Sequence, residues 1–312
     1  MMRARCVRTW LAAALALLSS LAIADDFDYG LQPRQVAADT WVVFGKPENF
    51  SRSNGGDIAN TAFIVTGAGV VVIDTGPSKR YGQQLRAAIG RITTEPVVAV
   101  YLTHHHPDHA LGNQSFKDVP IRALAGTIDG LREQGADFNS NLYRMTGDWM
   151  RGTEPLLPQE AVTAGEVTIG RHTLQLLALK GHTAADLAIL DRSTGTLFSG
   201  IVFNGRTPAT PNATISDWLS SLQQLQALQP ARIVPAVGPV GDTAMLAHDA
   251  DYLRWLDGSL RQAAAQGVDM AEALRLPIPA RFDDFALLRE EYQRSVAHLY
   301  PAIERASLGV AE

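Results

Sequence analysis

With 312 residues, 46% of them hydrophobic and 19% charged, the chain has enough apolar material for a sizeable core, and its formal charge of −5 argues against nucleic acid or an anionic membrane as partner. The single cysteine, Cys6, excludes a disulfide framework. Arg3, Arg5 and Arg8 precede an apolar stretch over 11–23 that ends in Ala22-Ile23-Ala24, which reads as a secretory leader over 1–24 cleaved before Asp25. A spanning helix takes roughly 20 apolar residues, more than this stretch offers. Cleavage removes three arginines, no acid and Cys6, so the mature chain carries −8 and no cysteine. Export without disulfides fits a bacterial periplasm and rules out a thiolate nucleophile or a cysteine metal ligand.

The mature chain opens as antiparallel β structure, with strands predicted over 40–44, 61–65 and 70–73, a hairpin turn at Gly67-Ala68-Gly69 and a polar loop over 49–56. Asp74-Thr75-Gly76 ends the hairpin as a turn. An amphipathic helix over 79–91, with Tyr81, Leu85 and Ala88 on one face, leads into Val97-Val98-Ala99-Val100-Tyr101-Leu102, a buried strand. Such a β-α-β unit places chemistry at the C-terminal end of its strand. There the chain reads His104-His105-His106-Pro107-Asp108-His109, four imidazoles and a carboxylate in six residues. His104 and His106, two apart, can turn both rings toward one ion; Pro107 stiffens the turn, and neutral imidazole binds zinc at about 2.0–2.1 Å.

Beyond the histidines, a strand is predicted over 121–125, then an irregular or helical insertion over 127–159 that covers a sheet edge. A hairpin of 167–169 and 172–179 runs into Lys180-Gly181-His182-Thr183, followed by strands over 187–190 and 196–200. His182 then makes a third ligand beside His104 and His106, leaving a fourth tetrahedral position for water, the catalytic form of a zinc site. Helices are predicted over 216–228, 246–265 and 282–300, and His172, His248 and His298 read as surface or packing histidines.

The stretch from His104 to His109 resembles the metal-binding loop of the metallo-β-lactamase-fold hydrolases. That resemblance implies an α/β fold, a four-layer αββα sandwich (the metallo-β-lactamase fold) over 25–312 as a single domain, with a C-terminal helical extension from about residue 243. It also implies that Asp74 supports the metal loop by hydrogen bonding. The chain departs from the family at two ligands of a second metal: Ile201 stands where an aspartate or cysteine follows Ser199-Gly200, and Val237 stands where a histidine precedes Gly238-Pro239. Asp108 and His109 remain alone on that side, with Asn204 and His248 the nearest substitutes. The expectation is therefore one Zn2+ per chain at His104, His106 and His182, with Asp108 orienting the attacking water and accepting its proton and His109 hydrogen-bonding substrate or water. Phe203-Asn204-Gly205-Arg206-Thr207-Pro208, Asp251-Tyr252-Leu253-Arg254-Trp255-Leu256 and Val296-Ala297-His298-Leu299-Tyr300-Pro301 resemble the quinoprotein relay system zinc metallohydrolases, exported proteins associated with PQQ-dependent dehydrogenases.

The expected function is metal-assisted hydrolysis of a small-molecule acyl substrate, an ester, thioester, lactone or β-lactam. The alternative is a periplasmic binding or accessory protein that has lost turnover with positions 201 and 237; a single iron doing oxygen chemistry ranks last, because that chemistry keeps an aspartate where Ile201 stands. Candidate substrate contacts are Arg206, for an anionic group, and Tyr143 and Trp149 in the insertion; their plainer readings are a solvated arginine and packed aromatics.

Overall fold

The computed structural model describes residues 27–308, so the leader expected over 1–24 and Cys6 lie outside the described residues. The first half of the chain makes a seven-stranded sheet in chain order: β1 (Arg34–Ala37), β2 (Thr40–Val43), β3 (Thr61–Val65), β4 (Val70–Ile73), β5 (Val97–Tyr101), β6 (Ile121–Leu124) and β7 (Glu160–Val162). Pairing is antiparallel from β1 to β4 and parallel from β4 to β7. The second half makes a five-stranded sheet from β8 (Gly165–Ile169), β9 (His172–Leu179), β10 (Asp186–Asp191), β11 (Thr196–Phe203) and β12 (Arg232–Val237), in the order β12-β11-β10-β9-β8.

The layers follow from the period of two along each strand. In β4, Val71 and Ile73 face the second sheet and meet Leu174, Leu176, Ile189 and Phe198, while Val70 and Val72 face outward onto Tyr81, Leu85, Ala88 and Ile89. Those four belong to α1 (Lys79–Ile92), which starts where the Ser78 hydroxyl accepts the Tyr81 N–H. A single helical turn, α2 (Pro107–Ala110), follows β5, and the insertion expected over 127–159 is a long helix, α3 (Ala125–Thr146), then a 3-10 turn over Gly147–Met150 and irregular chain. The outer face of the second sheet packs on α4 (Ile215–Ala227) and α5 (Ala244–Ala265) through Trp218, Leu253 and Leu256, and α7 (Leu288–Ser307) packs on α5 through Tyr292, Val296 and Tyr300. A short turn, α6 (Met270–Ala273), joins the last two. The result is the expected αββα sandwich. The helix expected from 282 begins instead at Leu288, because Leu287 takes a left-handed backbone with φ of 59°. Among the described residues no helix is long and apolar enough to cross a membrane.

The loop between β2 and β3 buries one carboxylate, Asp57, whose Oδ1 has no hydrogen-bond partner. Burial pushes Asp57 up to about 7, with Lys46 opposing. The folded state therefore holds a proton that the unfolded chain, with a carboxyl near pKa 3.9, releases earlier. This contribution to stability is complete below pH ~4 and is lost as pH rises through ~7. Asp57→Asn is expected to melt within a degree or so of the wild type at pH 4 and about 5 °C higher at pH 8; a difference that does not change with pH in thermal melts refutes it.

Candidate metal centre

The centre is built where β5 ends against the turn after β4. Asp74 sits in that turn with a left-handed φ of 60° and its N–H on the Tyr101 carbonyl. Its Oδ1 accepts the Thr103 N–H at 2.8 Å, and its Oδ2 accepts the Thr103 hydroxyl at 2.8 Å and His109 Nδ1 at 2.7 Å. One carboxylate thus ties both ends of the histidine loop, Thr103 and His109, to the turn after β4.

The hydrogen bonds also orient the rings. Thr103 has one hydroxyl proton, and it goes to Asp74; at 3.0 Å from His104 Nδ1 the same oxygen can only accept. His104 therefore carries its proton on Nδ1 and leaves a lone pair on Nε2. His106 caps α2 ahead of Pro107, and its Nε2 donates to Asn212 Oδ1 at 2.9 Å, leaving the lone pair on Nδ1. His182 arrives from the second sheet. Its loop is held by Asp186, whose carboxylate accepts the N–H groups of His182 and Thr183 and the Thr183 hydroxyl at 2.7 Å. At Gly181, with φ of +127°, a Cβ would fall 2.1 Å from the Trp218 nitrogen, so α4 packs directly on this turn.

His104 Nε2 and His182 Nε2 each lie 3.1 Å from His106 Nδ1. The three rings are buried, and among the described residues they are the one group of three or more such side chains that could hold a metal ion. Burial, with the neighbouring imidazoles adding to it, holds His104 and His182 well below the ordinary histidine range, and burial lowers His106 as well. The lone pairs of His104 Nε2 and His106 Nδ1, 3.1 Å apart, repel unless a cation sits between them. The donor set fits a divalent ion such as zinc.

His109 belongs to a different circuit. Burial works against its charged form, but the carboxylates of Asp74 and Asp108 outweigh it and raise His109 above its usual value. Its Nε2 lies 3.7 Å from Asp108 Oδ2.

The three histidines open onto a cavity of about 260 Å³, lined by Phe138, Leu142 and Met145 of α3, by Phe203, and by Glu291, Arg294 and His298 of α7. Asp108, His109, Arg206, Asn212 and Val237 also line it. Ile201 is buried at 1% exposure in the apolar core with Trp218 and Leu246. Asn204 is turned away to the Pro239 carbonyl, and His248 stacks on Phe285 at 4.3 Å, so neither substitutes for a missing ligand. Tyr143 and Trp149 do not line the cavity. On α3 the cavity face runs through 138, 142 and 145, and Tyr143, one residue on from Leu142, points to solvent; Trp149 packs on Phe27 and Tyr29. Arg206 is no solvated arginine: it is 5% exposed and paired with Glu291.

Residues 54–237 match the profile of the metallo-beta-lactamase superfamily. The chain belongs to that superfamily. A metallo-beta-lactamase from Pontibacter korlensis superposes with a TM-score of 0.60 at 22% identity, over 72% of this chain and 99% of that one, a likeness of fold. The beta-lactamase-like protein 2 homolog of Caenorhabditis elegans is 29% identical over 187 residues, 59% of this chain and 57% of that protein. A linear primary-alkylsulfatase from a Pseudomonas strain is 24% identical over 77% of this chain, and the acyl-coenzyme A thioesterase MBLAC2 of Gallus gallus 27% identical over 63% of this chain and 76% of that protein. The match spans just 54% of the alkylsulfatase's length. Superfamily membership accounts for the fold, and the three histidines give the chain a site that could hold a metal ion.

Proposed function

We propose that the chain is an exported hydrolase of acyl-type substrates that works with a single zinc ion. The observation that carries the metal count is local: three ring nitrogens converge at His104, His106 and His182, while the Ile201 and Val237 side chains offer no donor atom to a second ion. A zinc ion held there supplies Lewis acidity, acidifying water toward a pKa of about 7 and polarising a carbonyl. The protein's own groups do the rest. Asp108, at the mouth of the triad, takes the proton of the attacking water on a carboxylate oxygen, and His109, braced by Asp74, fixes the Asp108 side of the pocket. The apolar walls exclude bulk water and accept the acyl portion. The thioesterase named among the relatives acts on an acyl thioester, which falls within this substrate class.

The leader read over 1–24 supports a periplasmic mature chain, and the flanking segments that resemble the quinoprotein relay hydrolases support a link to a PQQ-dependent dehydrogenase as part of this proposal. Elemental analysis of the purified mature protein tests the proposal first. About one zinc per chain supports it; two per chain refute the single-ion site, and none after zinc is supplied leaves an accessory protein on a hydrolase fold.

A further inference from the structure

One part of the cavity wall carries a cluster of charged side chains in which two arginines meet one glutamate, with the Asp108 carboxylate also acting on Arg206. Arg206, from the segment after β11, donates from Nη2 to Glu291 Oε1 at 3.0 Å. Arg294, one turn further along α7, donates from Nη1 to the same oxygen at 2.6 Å and to Asn49 Oδ1 at 2.8 Å. Two guanidinium groups therefore share one carboxylate, and the Arg206 and Glu291 side chains are 7% and 3% exposed. Arg206 Nε is buried without any acceptor. One arginine suffices to neutralise Glu291; here a second, half-exposed guanidinium joins it, while the buried Arg206 keeps an Nε–H with no acceptor, which is costly unless something else completes it. All three side chains line the cavity that holds the histidine triad. Both Glu291 and Arg294 lie beyond residue 237, where the superfamily match ends.

We propose that Arg206 and Arg294 form an anion subsite within the metal pocket, and that the substrate is an apolar acyl compound bearing a negatively charged group. This rests on the hydrolase reading for the word substrate, but the subsite itself does not. Glu291 holds the two guanidinium groups through one oxygen and, with Asp108 acting on Arg206, offsets their charge, so the pocket suits a singly charged group, a carboxylate or a sulfo group. Phe50, Phe138, Leu142 and Met145 line the same cavity and receive the apolar part.

The test is equilibrium binding, read by isothermal titration of the purified metal-bearing mature chain with 1-octanesulfonate and with 1-octanol. Octanesulfonate has no bond for a hydrolase to cut, so the result stands or falls independently of turnover. The sulfonate is expected to bind at least ~10-fold tighter than the alcohol, the scale of a charge-assisted contact in a desolvated site. Arg294→Met, at a half-exposed side chain, should remove most of that preference while leaving octanol binding unchanged. Arg206→Met paired with Glu291→Gln, which removes the buried cation and anion together, should do the same in a protein that still folds. Equal binding of sulfonate and alcohol to the wild type overturns the proposal, as does a preference that survives in both variants.

Discussion

Replacing His182 by alanine is expected to strip the purified protein of its metal, leaving less than about a tenth of the wild-type zinc and lowering turnover by three orders of magnitude or more, whereas His109→Ala keeps its metal. The two residues are buried alike and lie in the same cavity, so burial does not distinguish them. Their ring nitrogens do. His182 Nε2 reaches to 3.1 Å from His106 Nδ1, and it is the one ligand brought by the second sheet. Losing it leaves two imidazoles from a single loop, too few to close a tetrahedral site. His109 spends Nδ1 on Asp74 and turns Nε2 to Asp108. Metal analysis beside thermal melts separates loss of zinc from loss of fold. Equal metal loss in both variants would place His109 in the coordination sphere and refute the three-histidine site.

The parts of this centre that were legible in the sequence are those in which chemistry is local along the chain. His104, His106, Asp108 and His109 fall within six residues after an apolar strand, and a glycine-histidine turn after a hairpin marks His182. The groups that orient these ligands were not legible, because each is common in its own setting. Thr103 reads as the last residue before the motif, Asp186 as the residue ahead of a strand, and Asn212 as one polar residue in a loop 106 positions from the ring it holds. Only the fold shows that Thr103 donates to Asp74 and so fixes the tautomer of His104. The aromatic positions on α3 failed for a geometric reason: without the helix phase, Tyr143 and Phe138 are equivalent candidates, and the phase puts Phe138 in the cavity and Tyr143 in solvent. His298 read as a packing histidine and Glu291 had no marked feature, yet α7 carries both to the cavity wall. Long-range helix packing of this kind leaves no spacing to read.

Asp108→Asn is expected to retain zinc at the wild-type level and to lower kcat by about 10²–10⁴-fold on a model ester or thioester, with KM little changed. The carboxylate stands one residue beyond Pro107 at the start of α2, its side chain 13% exposed, so it has water on one side and His109 on the other. Asparagine keeps the size and the hydrogen-bonding reach but cannot take a proton, which isolates base catalysis from positioning. The split between metal content and rate is what decides the role. If zinc is lost together with activity, Asp108 is a ligand and the ion has four protein donors, leaving no place for the attacking water as assigned. If rate and zinc are both unchanged, the proton leaves by another route, and His109, held above its usual pKa by Asp74 and Asp108, is not that route unless it first gives up the proton those two carboxylates stabilise. A fall in rate with zinc in place leaves Asp108 as the proton acceptor, and because the deficit would appear in kcat, its work is done after the substrate is bound.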